Sequence, residues 1–326
     1  MENMELLQVE QAAALLLQHD WILLLCHQSP DGDTIGSAYA LCHALHQRGK
    51  RANVIYSDPI PQKMKFVLNG LDTSLLMPPG AARFVVSVDI ADAKLLGDEL
   101  SQYKEDGKVD LSIDHHPSHK AFAKRLLLRG EDAANCQIIY DILKKMDITF
   151  TPAIASCLYL GVSTDTGCFR FSNTQPRTHQ IAAELIELGA DWFQINRDMF
   201  EIKTRAEVAM EQETLQNIRY YCGGKAAALV ITQELCKRVG VKVEDTEKIV
   251  NIPRSIEGVE IGATLKERPE GGFKVSLRTG ESVDASEICA VFDGGGHKRA
   301  AGCLIKRPAE EALSLLEKEF ERVLKF

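Results

Sequence analysis

The run WILLLC (21–26) is six apolar residues that end abruptly in HQSPDGDTIGS (27–37). A strand that is apolar at every position is covered on both faces, as in a parallel sheet walled by helices. Carboxylates are among the groups least willing to leave water unpaired. Yet a histidine and two aspartates stand just past the end of this buried run. Taken alone, the stretch is equally well a polar turn whose last aspartate caps the next helix. The junction recurs, however: RFVVSVDI (83–90) carries Asp89 near its end, and KVDLSID (108–114) runs into Asp114, His115 and His116.

The segments between these runs have helical spacing. TIGSAYALCHALHQRG stops at Gly49, and DAANCQIIYDILKKM and PAIASCLYLGV predict two further helices. RANVIYS (51–57) predicts a strand, KMKFVLNG a short helix, and AKLLGDELSQYK a helix after the third strand. Strand and helix in alternation predict an α/β fold with helices on both sides of a parallel sheet. The chain from about 175 to 222 is mostly helical up to CGGK, and AAALVIT, VEIGATLKER and GFKVSLRT then predict strands between turns. We therefore expect an N-terminal parallel-sheet domain over 1–190 and a helical connector over 191–222. A smaller mixed α/β domain follows over 223–326, its sheet covered by the amphipathic helix PAEEALSLLEKEFERVLKF.

Composition narrows the function classes. The 326 residues are 45% hydrophobic and 26% charged, ordinary values for a soluble globular chain. The apolar runs are too short to span a bilayer, and the acidic N-terminus does not resemble a signal peptide. Nine cysteines without a C-x-x-C pair are expected to be reduced core residues of a cytoplasmic protein. A net charge of −8 argues against gripping long duplex nucleic acid, which needs a broad basic face. A local basic pocket still suffices for a few phosphates.

In a parallel α/β sheet the C-terminal strand ends form one rim, and ligands bind there. That rim gathers His27, Asp31 and Asp33 from the first junction, then Asp89, then Asp114, His115 and His116. Asp165, in GVSTDTGCFRF, adds a further acid. Acids so crowded repel one another and take up protons unless cations remove the conflict. Mixed carboxylate and imidazole donors suit two Mn²⁺ ions, or a similar metal, better than Ca²⁺. On extended chain, Asp31 and Asp33 would face the same way with Cα atoms about 6.6 Å apart. Each could then lean toward one of two ions about 3.5–4 Å apart, with Gly32 letting the backbone bend. A cation pair of this kind binds phosphate oxygens and generates hydroxide near neutral pH, which is phosphoester hydrolysis.

HQSPDGDTIGS, VDIAD, DHHPSH and GVSTDTGCFRFSNT resemble, in order, the four motifs of the DHH phosphoesterase superfamily. FDGGGHKRAAG resembles the signature of its DHH-associated C-terminal domain. The match covers nearly the whole chain and is most similar to the nanoRNase/pAp phosphatase group. The resemblance implies a compact, Mn²⁺-dependent cytoplasmic enzyme that cuts RNAs of two to five nucleotides and removes the 3′-phosphate of pAp. It implies that His27, Asp31 and Asp89 hold one metal, and that Asp33, Asp89, His115 and Asp165 hold the other. His116 would face the scissile phosphate, stabilising charge or donating a proton, while Asp114 would hold the histidine pair in place. Gly294, Gly295, Gly296, His297 and Arg278 would hold the substrate's terminal phosphate or nucleotide end. Such relatives are often dimers, so a homodimer is a partner to test for, while no membrane or long duplex is expected.

The remaining histidines are expected to be bland. His119 stands where relatives often carry asparagine and is expected at the surface; NCQIIY (135–140) also departs from the pattern common in relatives. His43 and His46, three apart on a helix, and His19 and His179 are expected to be solvated or partly packed, and Cys26 merely to pack. Competing readings are a phosphodiesterase of cyclic or linear dinucleotides, a manganese pyrophosphatase, and a nucleotide sensor with an inactive site. The second lacks support, because this chain has no SRK signature and carries the GGGH module. The third sits poorly with six intact ligand positions.

Overall fold

The computed structural model describes residues 4–326. They form two compact units, one ending at Ile202 and one starting at Lys203, so the division falls inside the 191–222 stretch.

In the first unit, β1 (Glu5–Leu6) and α1 (Val9–Gln18) precede β2 (Ile22–Leu25), whose four residues are all buried. Asp31 then caps α2 (Gly32–Gln47), accepting the N–H groups of Asp33 and Thr34 on its side chain, and Gly49 at φ 70° ends the turn after it. β3 (Ala52–Ile55), β4 (Phe84–Val88), β5 (Leu111–Asp114) and β6 (Arg125–Leu128) follow. After them come α3 (Asn135–Lys145), α4 (Pro152–Asp165), α5 (Pro176–Glu187) and α6 (Trp192–Asn196). Thr151 caps α4, and Pro152, which lacks an N–H to waste, occupies its first position.

Among the described residues the sheet has six strands in the order β1-β6-β5-β4-β2-β3, and every pairing is parallel. This confirms the predicted α/β class. From β2 the chain moves outward to β3, then crosses back to β4 on the other side of β2. The order therefore reverses between β2 and β4, which makes the crevice beyond their C-terminal ends the natural ligand site. Two expectations fail here. The 93–104 stretch forms two 3₁₀ turns, Ala93–Leu95 and Asp98–Tyr103, because Gly97 interrupts the segment. The strands β1 and β6 were not foreseen; two residues are too few for β1 to show a period.

In the second unit, α7 (Arg205–Gln216), β7 (Arg219–Tyr221), β8 (Ala226–Ile231) and α8 (Gln233–Val239) lead to β9 (Ile261–Glu267) and β10 (Phe273–Thr279). They are followed by α9 (Ala285–Ala290), β11 (Gly295–His297), β12 (Ala300–Ile305) and α10 (Ala309–Leu324). The sheet order is β11-β12-β10-β9-β8-β7, parallel at β8–β9 and antiparallel elsewhere. Burial alternates along β10, whereas β8 and β9 are buried on both faces. Against the sheet α10 buries Ala312, Leu313, Leu316 and Phe320, the covering helix that its amphipathic pattern predicts.

Candidate metal centre

The strand ends deliver their polar groups to one place. His27 follows β2, and its Nε2 lies 3.7 Å from Asp31 Oδ1 and 3.8 Å from Asp89 Oδ2. Its Nδ1–H donates to the Gln28 carbonyl at 2.8 Å, leaving Nε2 free to act as a donor to a cation. His115 follows β5, with Nε2 3.5 Å from Asp89 Oδ1, 3.5 Å from Asp165 Oδ2 and 3.8 Å from Asp33 Oδ2. Its Nδ1–H donates to the Asp132 carbonyl at 3.0 Å, which turns the other nitrogen toward the acids. Asp89 lies between the two imidazoles, one carboxylate oxygen toward each. It adopts φ 59° just past β4, a backbone conformation that costs energy for a non-glycine residue and is typical of functional sites.

Asp31 and Asp33 are not on extended chain, contrary to the spacing argument above. Asp31 is the cap and Asp33 the second residue of α2. The helix turn, rather than strand alternation, separates their carboxylates. Gly32 has a different role too. A Cβ there would lie 2.3 Å from Thr164 Oγ1, and one on Gly36 would lie 2.3 Å from the Cys157 carbonyl. On the facing helix, a Cβ on Gly161 would meet Asp33 Oδ1 at 2.5 Å. These three glycines let α2 and α4 approach closely enough to set Asp33 beside Asp165. None of the three is needed for its backbone φ.

Asp114 is fully buried, and its Oδ1 accepts the N–H of His115 at 2.8 Å and His116 Nδ1–H at 2.8 Å. It thus fixes the His116 ring and the His115 backbone, and the His116 side chain stays 43% exposed. His119 is not at the surface. Its side chain is fully buried under this pair, with Nε2 3.1 Å from Ser112 Oγ and 3.9 Å from Asp114 Oδ2. His43 and His46 are buried more completely than expected, bonded to the carbonyls of Val67 and Ala52 at 2.9 Å each. His19 and His179 stack on Phe84 and Phe169, and Cys26 packs in the core.

Among the described residues three groups could each hold a cation: His27, Asp31 and Asp89; Asp33, His115 and Asp165; and Asp89, His115 and His116. The electrostatics fit that use. Burial, then the charge of Asp33, pushes the Asp165 carboxyl up to about 7. Burial and the charge of Asp33 likewise raise Asp89 well above the carboxylate range. Burial pushes His115 down, but Asp89, Asp33 and Asp165 outweigh it and lift the imidazole to about 10. Asp89 Oδ1 and His115 Nε2 are both buried without a hydrogen-bond partner. Orphaned lone-pair atoms converging in one crevice are the expected signature of a cation site.

The region 21–162 matches the DHH family N-terminal domain model, and 223–325 matches the DHHA1 domain model. A bifunctional oligoribonuclease and PAP phosphatase from Thermus thermophilus is 31% identical over 307 residues, 93% of this chain and 88% of that protein. The chain belongs to the DHH family. As a DHH protein it is a phosphoesterase. A second DHH relative, the bifunctional oligoribonuclease and PAP phosphatase of Bacillus subtilis, is 24% identical and matches 88% of this chain and 90% of its own length. An exopolyphosphatase-related protein from Bacteroides fragilis has the same architecture, with a TM-score of 0.83, 25% identity and 98% of both chains covered.

In the second unit, Arg278 on β10 and His297 on β11 both pair with Ala300 of β12. Directly opposed residues share a face, so both side chains stand on the face away from α10, their backbones roughly 9.6 Å apart across one strand. Gly294 and Gly296 leave no room for a Cβ, which would meet Gly302 O at 2.4 Å and Ala300 O at 2.6 Å. Residues that the sequence alone did not point to are Asp132, Asn135, Cys136 and Thr164. All act through backbone groups or close contact, so no side-chain chemistry signals them.

Proposed function

We propose that this chain hydrolyses RNAs of two to five nucleotides to mononucleotides and dephosphorylates pAp to AMP, using two divalent cations, Mn²⁺ by preference. The observation that carries this reading is Asp89, whose Oδ2 faces His27 while its Oδ1 faces His115. One carboxylate turned toward two separate imidazoles is how a shared ligand joins a cation pair. The curated relatives' names support the substrate class. Bound there, such cations polarise phosphate oxygens and lower the pKa of water.

The chain's own residues do the rest. His27, Asp31 and Asp89 would hold one cation, and Asp33, Asp89, His115 and Asp165 the other. Asp114 fixes the His116 ring through Nδ1, so the opposite nitrogen can donate a proton to the leaving oxygen or stabilise charge on the phosphate. Arg278 offers a fork to a terminal phosphate, and the amides of Gly294, Gly295 and Gly296 with His297 offer neutral donors. A cytoplasmic location fits cysteines that sit mostly in the core, eight of them buried and Cys168 half-buried. Among the described residues no helix is long and apolar enough to cross a membrane.

Initial rates with Mn²⁺ on pAp, linear dinucleotides, five-mers, a twenty-mer, cyclic dinucleotides and pyrophosphate test the proposal. Fast two- to five-mers, measurable pAp and a slow twenty-mer are expected, with turnover lost in Asp165→Ala. Equal rates for wild type and that variant would refute it, and a preference for cyclic dinucleotides or pyrophosphate would reassign the substrate.

A further inference from the structure

We infer that Phe171 is a stacking platform for a nucleobase of the substrate bound at the Asp89–His115 crevice. This rests on the proposed activity toward nucleotides and adds a contact to it. The argument starts from the loop that follows Asp165. Gly167, Cys168 and Phe169 stand in succession at φ 56°, 58° and 62°. Left-handed backbone is costly at the two non-glycine positions and persists only where the surroundings enforce it. Here Cys168 N–H donates to Ser163 O at 2.7 Å, and the N–H groups of Arg170 and Phe171 share Thr166 O at 2.9 and 3.0 Å. Asn173 Nδ2 ties the same loop to the Asp165 carbonyl at 3.2 Å and to Ala133 O at 3.1 Å.

The loop's large side chains divide sharply. Phe169 turns inward, its ring stacked on His179 at 5.1 Å and tilted against Tyr159 at 6.2 Å. Arg170 lies over Phe200 and donates through Nε to Gly167 O at 2.6 Å. Phe171 turns out and stays 53% exposed. Its ring lies flat on Gly167, with three ring carbons 2.4–2.7 Å from where a Cβ would stand. Gly167 is two residues from Asp165, so their Cα atoms are at most about 7.6 Å apart. An aromatic face is thus held on a glycine two residues along the chain from one of the acids. A single exposed phenylalanine is unremarkable on a surface. One that a strained turn fixes beside a phosphoester site is placed to meet a base. Stacking of this kind accepts every base, because each has a π face.

The test uses the full chain with Mn²⁺, as wild type, F171A, F171L and F171W. Substrates are linear diadenylate and the matching dinucleotide diester without bases. F171A and F171L should raise KM for diadenylate roughly five- to hundred-fold, the range of base–aromatic stacking, with kcat changed less than about twofold. F171W should match wild type, and the baseless diester should show the same KM in all four proteins. F171L keeps the apolar bulk, so a merely structural role would leave it like wild type. That result, or an equal KM rise on the baseless diester, would overturn the inference. If wild type cleaves neither diester, the hydrolytic reading fails, and binding of 2-aminopurine ribonucleotide decides stacking by itself. Quenching by wild type that is lost in F171L supports the platform, and quenching that is equal or absent in both defeats it.

Discussion

Asp33 Oδ2 accepts the backbone N–H of Asn135 at 2.6 Å, while its Oδ1 accepts that of Cys136 at 2.9 Å. Those amides are the first two of α3, so one helix N-terminus grips an acid supplied by the first turn of another. The aligned peptide dipoles there favour negative charge and work against the burial that raises the Asp33 carboxyl. Asp33→Asn removes the charge and sets an NH₂ group against an N–H. Loss of groups that only orient ligands costs about 10–100-fold in metal affinity or activity, so losing this acid should exceed about 100-fold. Turnover against Mn²⁺ concentration checks this; a variant within a few-fold of wild type would contradict the assigned ligand.

Gly32→Ala should loosen the α2–α4 contact. The new Cβ would meet Thr164 Oγ1 at 2.3 Å, and that hydroxyl is already bonded to Leu160 O at 2.8 Å. Overpacking of this sort destabilises by about 1–3 kcal/mol. Adding Thr164→Ala should recover part of the loss, as read by denaturant unfolding. No recovery would mean that Gly32 acts through its backbone after all.

Without metal, stability should fall as pH rises. Asp165, ordinarily near 3.8, is lifted to about 7 in the fold, so the native state holds a proton that the unfolded chain releases. Its contribution is fully present below about 3.8 and is lost as pH climbs through about 7. His115, lifted from 6.5 to about 10, has the same sign over a higher window. Thermal unfolding of chelator-treated protein should therefore give a Tm that drops between pH 5 and pH 9. Saturating Mn²⁺ should flatten that drop, because cations replace the protons. A metal-free Tm that rises with pH would sink the prediction.

His119 should matter more than a surface histidine. Replacing it with alanine leaves Ser112 Oγ and the fully buried Asp114 without that neighbour, at a cost of about 1–3 kcal/mol for an unsatisfied buried group. His119→Asn keeps a polar side chain and should lose less than His119→Ala in both Tm and kcat. Identical behaviour of the two variants would show that only volume counts at this position.

Most of the site was legible in the sequence because its ligands sit at strand ends. An apolar run names the strand, the next polar residue names the rim, and parallel topology brings the rims together. Hence His27, Asp89, Asp114, His115 and His116 could be placed from local pattern. Asp31 and Asp33 were gathered at that rim from the first junction and Asp165 from GVSTDTGCFRF, and the motif resemblance suggested a division between two ions.

Other features depended on contacts between distant parts of the chain. The grip of Asn135 and Cys136 on Asp33, the fit of Gly32 to Thr164 and the burial of His119 each join separate elements. So does the reversal of strand order between β2 and β4, which depends on where β4 inserts rather than on its residues. Local spacing records periodicity and caps, whereas these contacts follow from how closely two helices can pack and which strand lies next to which. The chain by itself determined which groups reach the rim; close packing decided how each is held there.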